Sequence, residues 1–256
     1  MTYLLGRRGP QEVAVQDRLR AAYELSATRT LEREFQRALD EIAVAVEVGG
    51  SVGLAMEAHA RRLAGIYQET YRVVGEVFGD RVITAAGKCR AGRLMRKDVR
   101  TDFEDAINRI LAAIGARSVL VAETTREQIR GVLSAGEAEG LSQEALARQI
   151  REGAPDLPGT GFWSPRVRSL VIARTEVHTA SVLASNAAAQ ATGLVTAREW
   201  ASAEDSRTRP DHSAADGQTT TDTYTVGGVS MRFPGDPNAP AEQLVMCRCV
   251  ELYRTD

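Results

Sequence analysis

Apolar residues recur at steps of three and four over most of the first 190 residues, which is the spacing of helices with one buried face. Within residues 11–48, for example, Leu31, Phe35, Leu39 and Ile42 fall on one helical face. The same spacing predicts helices over residues 11–48, 52–78, 101–114, 119–134, 143–151 and 165–192. Gly79-Asp80 is expected to end the second helix, and Ser142 is a predicted N-cap.

The pattern changes after Gly193, where short alternating runs and turn residues predict strands. Residues 223–233 predict a hairpin that turns at Gly227-Gly228. Residues 244–253 predict a last strand, with Cys247 and Cys249 on one of its faces. Residues 153–161 hold three glycines and two prolines, which is typical of a loop.

These elements predict an α+β fold that is mainly helical: long N-terminal helices, then a small C-terminal domain in which a long helix packs on short antiparallel strands. We expect a helical N-terminal arm over residues 1–115 and a second domain over residues 116–256. The second domain is expected to comprise helices over 116–193 and a strand region over 194–256.

Composition narrows the classes of function. The chain has 256 residues, 43% of them hydrophobic, and a net charge of −2, and no apolar run approaches the ~20 residues of a membrane span. The first residues do not have the order of a secretion signal, so we expect a reducing cytoplasm and cysteines that are free thiols or metal ligands.

One segment, residues 88–100, is basic although the chain is not. Arg93, Arg96, Lys97 and Arg100 have helical spacing and are predicted to form a stripe along one helix face. A solvated surface is the preferred interpretation. Docking of DNA or of an acidic partner is the alternative.

Chemically reactive residue types are concentrated from Arg174 to Cys249, where two of the three histidines and two of the three cysteines lie. The motifs are Arg174-Thr-Glu-Val-His178, Trp200, Asp205-Ser-Arg-Thr-Arg-Pro-Asp-His212, Asp216-Gly217, Phe233-Pro-Gly-Asp236 and Cys247-Arg-Cys249.

This order of motifs resembles the Mu F-like phage head morphogenesis proteins, the minor head proteins of tailed phages. The resemblance runs from about residue 123 to the end of the chain. It departs from the family at Met246, where an asparagine is frequent. The resemblance implies that a set of residues defines the domain: Arg174, Glu176, His178, Trp200, Asp205, Arg207, Arg209, His212, Asp216, Gly217, Cys247, Arg248 and Cys249.

The resemblance also implies a non-enzymatic virion component, made in the host cytoplasm and located in the head interior or at the portal vertex. The implied partners are the portal protein, the major capsid or scaffold protein and the packaged DNA. The N-terminal helices are the expected portal-docking part. A virion-borne metal-dependent or thiol hydrolase or nuclease is the rival function, and DNA binding through the basic stripe is a second rival.

The residues themselves leave three interpretations open for His178, His212, Cys247 and Cys249. The preferred one is structural, with buried thiols and hydrogen-bonded histidines. A closed zinc site of two thiolates and two imidazoles is the second, and zinc is the one cofactor that the sequence suggests. A thiol hydrolase, with a cysteine nucleophile, His212 as base and Asp216 as its orienting partner, is the third.

Arg174 and Glu176 lie on the long helix before the strands. Each is expected to fasten this helix to a different loop of the strand region, since a guanidinium offers five donors to carboxylates and carbonyls. Trp200 is expected to be a core anchor because indole burial removes a large area from water.

Overall fold

The computed structural model describes residues 2–6, 9–152 and 164–255, so the predicted loop over 153–161 lies outside the described residues. The described helices are α1 (Gly9–Glu47), α2 (Val52–Lys88), α3 (Val99–Ala113), α4 (Gly115–Ala138), α5 (Gln143–Arg151), α6 (Pro165–Thr192), α7 (Pro210–Ala214) and α8 (Ala241–Leu244). A 3₁₀ turn spans Arg90–Leu94. None of the described helices combines the length and apolarity that a membrane crossing requires.

The described residues also contain six short strands: β1 (Thr2–Tyr3), β2 (Ala197–Ala201), β3 (Thr219–Thr220), β4 (Tyr224–Val226), β5 (Val229–Met231) and β6 (Val250–Thr255). Four of them form an antiparallel sheet in the order β1-β6-β2-β3, and β4 and β5 form the predicted hairpin. The mainly helical α+β fold with long N-terminal helices is thus confirmed.

The chain divides into two compact units, and the division falls inside α1, α2, α3 and α6. The helical unit comprises Leu25–Glu69 and Ala112–Ala173. The mixed unit comprises Met1–Glu24, Thr70–Leu111 and Arg174–Asp256, and it contains the strand region, residues 194–255. The predicted boundary at residue 115 stays a prediction.

In the helical unit, an apolar cluster packs α1 and α2 with α4 and α5. Its buried members are Leu39, Ile42, Ala43, Met56, Ile129, Val132, Ala147 and Ile150. Ser142 caps α5 as predicted, because its Oγ accepts a hydrogen bond from Ala145 N at 3.2 Å.

One predicted helix end is wrong. Gly79-Asp80 does not end α2, which continues to Lys88 in the mixed unit. A Cβ on Gly79 would lie 1.9 Å from Phe103 Cζ, so the missing side chain makes room for the Phe103 ring of α3. The glycine therefore serves close packing of two helices rather than a turn.

The strand region packs on α6 within the mixed unit. The last turns of α6 are rich in buried alanine, and Ala184 and Ala188 share an apolar cluster with Phe103 of α3 and Tyr253 of β6. α6 ends as predicted at Gly193, whose φ of +68° is the left-handed conformation of a helix C-terminus.

Candidate functional site

A buried group of one histidine and two cysteines lies in the strand region. His212 is on α7, and Cys247 and Cys249 lie in the segment between α8 and β6. The His212 Nδ1 atom is 3.4 Å from Cys249 Sγ and 3.6 Å from Cys247 Sγ. All three side chains are buried, and their ligand-type atoms lie within 4.8 Å of one another.

The two cysteines are not on a strand, which corrects the strand predicted over 244–253. β6 begins at Val250, and Met246 has a left-handed φ of 59°. The turn is fixed from outside, since Thr175 Oγ1 accepts a hydrogen bond from Met246 N and Arg209 donates to the carbonyl of Val245. The chain reverses here and both sulfurs reach the same buried group.

His212 is oriented by Gln243 and not by Asp216 as the sequence predicted. The Gln243 amide donates to Asp211 Oδ2 at 3.1 Å, so its oxygen faces His212 Nε2 at 2.9 Å. An amide oxygen only accepts hydrogen bonds, so Nε2 carries the ring proton. The Nδ1 lone pair therefore points at the two sulfurs.

Asp216 instead closes the turn that follows α7. Its Oδ1 accepts a hydrogen bond from Ser202 N at 2.6 Å, and Gly217 N donates to the Trp200 carbonyl at 2.9 Å. Gly217 has a φ of 74°, which a glycine adopts at little cost. The Asp216-Gly217 pair thus ties α7 to the end of β2.

His178 of α6 lies beside the group without joining it. Its Nε2 donates to the Cys249 carbonyl at 2.8 Å, and its buried Nδ1 has no hydrogen-bond partner among the described residues. That nitrogen faces Gly235, where a Cβ would approach it to 2.6 Å. Burial lowers the pKa of His178 to about 4, so the ring is neutral. Of the four candidate ligands, His212, Cys247 and Cys249 therefore converge, whereas His178 bonds a backbone carbonyl instead.

The two cysteine thiols have pKa values that are shifted in opposite directions. The pKa of Cys247 lies well below its usual range because the Cys249 thiol donates a hydrogen bond to it. The pKa of Cys249 is raised by that same bond and by burial. Cys247 is thus the more acidic of the two thiols, and the deprotonated sulfur is the form that binds metals.

Trp200 packs against His212 and the two cysteines. Its ring is fully buried and contacts the rings of His212 and Tyr224 edge-on, each at a centroid distance of 5.4 Å. Both cysteines and Trp200 belong to one buried cluster with Ala215, Tyr224, Val226 and Met231. The expected core anchor is therefore in place.

Arg174 and Glu176 contact the N-terminal helices, which corrects the predicted ties to loops of the strand region. Arg174 Nε lies 3.6 Å from Glu24 Oε2 on α1. The Tyr71 hydroxyl of α2 donates to Glu176 Oε2 at 2.7 Å. The first motif of the string therefore joins α6 to the mixed-unit segments of α1 and α2.

The Asp205 motif forms a partly exposed ion pair with Arg248. Asp205 Oδ1 accepts from the Arg248 guanidinium at 2.5 Å and from the backbone of Arg207 at 3.0 Å. The Arg248 hydrogen bond holds the pKa of Asp205 well below its usual range. Arg207 itself is 72% exposed, whereas Arg209 reaches the Val245 carbonyl. Arg248 and Arg209 thus fix both ends of the cysteine segment.

A second polar group in the strand region was missed from the sequence. The carboxylate of Glu251 is buried and accepts hydrogen bonds from Arg198 at 2.9 Å, from Tyr224 at 3.0 Å and from Asn186 at 2.6 Å. Burial raises the pKa of Glu251. The one signal in the sequence is a glutamate between the apolar residues Val250 and Leu252 of a strand.

The basic residues 93–100 do not form a helical stripe, which is a further correction. Arg93 is in the 3₁₀ turn, Arg96 and Lys97 lie between elements, and Arg100 is in α3. Two of the cations face carboxylates, Arg96 with Asp102 at 3.4 Å and Arg100 with Asp80 at 2.5 Å. The chain folds back here because Arg96 N bonds the carbonyl of Thr192, at the end of α6.

The geometry differs from that of a thiol hydrolase, the third interpretation of these residues. A cysteine nucleophile needs access to a substrate carbonyl, whereas the exposed fraction of Cys247 and of Cys249 is 3%. The orienting carboxylate assigned to Asp216 lies elsewhere. Two sulfurs and one imidazole nitrogen are instead the donor set of a soft divalent cation.

Comparison with known proteins agrees with the order of motifs. Neither a curated protein nor a solved structure matches the chain. Residues 127–252 match the family model described as Phage Mu protein F like protein. This stretch contains every motif of the polar string. Over residues 127–252, the chain is therefore similar to the Phage Mu protein F-like family.

Proposed function

We propose that this protein is a phage or prophage minor head protein that binds the portal and the inner capsid and assists head assembly, DNA packaging or ejection. The family match over residues 127–252 carries the proposal, since the Mu F-like family indicates phage head morphogenesis. The protein would then lie in the virion, in the head interior or at the portal vertex.

The local chemistry of the strand region supports a structural role. Its motif residues contact one another or the backbone: Arg248 holds Asp205, Asp216 holds Ser202, and His178 holds the Cys249 carbonyl. These contacts build a rigid unit. DNA binding through residues 93–100 is less well supported, because Arg96 and Arg100 already face carboxylates.

The turn between α1 and α2 is the part of the N-terminal helices that we assign to portal docking. Val44, Val48 and Leu54 lie within eleven residues of one another there, and their exposed fractions are 50%, 73% and 65%. Exposed apolar side chains that are grouped mark interaction surfaces more often than isolated ones do. An apolar helical tip can dock in a groove of a partner.

Co-purification with the portal protein of the same phage tests both statements. The parent chain should bind the portal and appear in assembled heads. Leu54→Asp should weaken binding, whereas Leu120→Asp on α4 should not, although Leu120 is equally exposed at 68%. Circular dichroism checks that both variants fold.

The outcomes separate the general proposal from the assigned surface. Equal portal binding by the parent and Leu54→Asp would exclude the α1–α2 turn and leave the function intact. A parent chain that neither binds the portal nor enters heads would overturn the function itself.

A further inference from the structure

Two thiol groups converge on a single nitrogen lone pair in the strand region. His212 Nδ1 accepts at most one strong hydrogen bond, yet Cys247 Sγ and Cys249 Sγ both lie within 3.6 Å of it. All three side chains are at most 3% exposed. We propose that His212, Cys247 and Cys249 bind one Zn²⁺ ion.

The distances between the donor atoms fit a tetrahedral ion. With Zn–S of about 2.3 Å and Zn–N of about 2.0 Å, a tetrahedral angle places N and S about 3.5 Å apart. The observed Nδ1–Sγ distances are 3.4 Å to Cys249 and 3.6 Å to Cys247. The donors are therefore arranged for the ion with little movement of the backbone.

The ring of His212 is already held in the tautomer that a metal requires. Gln243 fixes the proton on Nε2, and Asp211 fixes the amide of Gln243 by accepting from its nitrogen. Ligating histidines commonly have such an outer partner on the second ring nitrogen. Gly227 permits this chain of contacts, since a Cβ there would lie 2.3 Å from Asp211 Oδ2.

The donor set selects a soft cation. Thiolates and a neutral imidazole suit Zn²⁺, whereas Mg²⁺ and Ca²⁺ prefer oxygen ligands. On binding, two Zn–S bonds and one Zn–N bond form, and the cysteine protons leave to solvent. The group has three members among the described residues, so a water molecule or hydroxide would take the fourth position.

The ion would staple parts of the chain that are distant in sequence. His212 is 35 and 37 residues from the two cysteines, and the neighbouring strands β4 and β5 have three residues each. Strands this short bury little apolar area, and small units often add a metal to compensate. The site would thus stabilise the strand region, whatever the protein binds.

Cobalt titration of the purified full-length chain tests the site. Bound Co²⁺ should give a sulfur-to-cobalt charge-transfer band with intense tetrahedral visible bands, at one equivalent per chain, and Zn²⁺ should displace it. Cys247→Ser, Cys249→Ser and His212→Gln should each remove or strongly weaken the charge-transfer band. Gln243→Ala should keep the site but weaken metal affinity by roughly 10–100-fold, as loss of an outer partner does.

Two matched variants serve as controls. Cys89→Ser alters the cysteine outside the group, whose thiol donates to the Ala86 carbonyl. His178→Gln alters the histidine that bonds the Cys249 carbonyl. Both should retain one equivalent of cobalt and the charge-transfer band.

Alkylation of the parent chain keeps the test decisive if a ligand variant fails to fold. Cys247 and Cys249 should react with iodoacetamide more slowly when Zn²⁺ is added than after a chelator removes it, whereas the rate at the partly exposed Cys89 should not change. The proposal is overturned if the parent chain binds no Co²⁺ or Zn²⁺. It is equally overturned if binding survives in all three ligand variants.

Discussion

The helical unit and the strand region of the mixed unit bury histidine in different ways. In the helical unit, His59 of α2 is fully buried, and its Nδ1 lies 2.8 Å from Glu34 Oε1 of α1. Arg62 donates to the other oxygen of Glu34 at 2.7 Å. In the strand region, His212 meets a neutral amide on one nitrogen and two sulfurs on the other.

The partners of the two rings distinguish a histidine with a structural role, His59, from one in a candidate metal site, His212. Glu34, which lies between Arg62 and His59, balances charge within the protein. Two sulfurs and one imidazole nitrogen that converge in a buried group are a donor set that a cation can occupy. Burial is common to both histidines, so the partners rather than burial identify the site.

The largest expected effect compares the buried carboxylates of the two regions. Glu251→Ala should destabilise the protein by about 3–5 kcal/mol, because Arg198 stays buried without its charged partner. Glu34→Ala should cost less, about 1–3 kcal/mol, since Arg62 is 23% exposed and gains water. Urea unfolding at neutral pH measures both. Equal costs would mean that the two regions tolerate buried charge alike.

Glycine substitutions should differ in sign between the regions. Gly131→Ala in α4 should stabilise by about 0.5–1 kcal/mol, since alanine favours a helix and no atom lies within 4 Å of the new Cβ. Gly235→Ala should destabilise by about 1–3 kcal/mol from the contact with His178 alone, in addition to its φ of 77°.

Gly217→Ala is the control for backbone strain alone. Its φ of 74° is similar, but no atom lies within 4 Å of its Cβ, so we expect about 1–2 kcal/mol. Thermal unfolding of the three variants gives the comparison. A Gly235→Ala variant no less stable than Gly217→Ala would show that His178 is free to move.

The smallest expected effect concerns the exposed ion pairs. Asp205→Asn should cost less than about 1 kcal/mol, because the pair with Arg248 is partly screened by water. The pKa of Asp205 is lowered in the folded protein, so its contribution is present above pH 3.8 and is lost as the pH falls through the folded pKa.

A matched pair lies in the helical unit, between Glu123 and Arg126 of α4 at 3.1 Å. Glu123→Gln should have a similarly small effect on the free energy of unfolding. Unfolding at pH 7 and at pH 3 checks both variants. If Asp205→Asn lowered the free energy of unfolding by several kcal/mol, the Asp205–Arg248 pair would contribute far more to stability than a surface ion pair does.

The spacing of residues along the sequence predicted the helices well. It predicted poorly which residues contact one another in the folded protein. Apolar spacing placed α1 and α6 to within a few residues, and Ser142 was recognised as a cap because its partner is three residues away. Gly79 was misinterpreted because its reason is the Phe103 ring of another helix.

The same limit applied to the site. Asp216 was paired with His212 because four residues separate them, whereas the true partner, Gln243, is 31 residues away. The string of motifs nevertheless identified His212, Cys247 and Cys249, since rare residue types were concentrated there. No signal in the sequence indicated the turn at Met246, which brings both sulfurs into the buried group.

Hydrogen exchange with and without a chelator tests most directly the claim that a metal-binding group holds the strand region. The native protein, purified without added metal, would be analysed for zinc and then for exchange by mass spectrometry. We predict about one zinc per chain, and a loss of amide protection after chelation in residues 197–255 but not in residues 25–69. Absence of zinc together with unchanged protection in both regions would contradict the account.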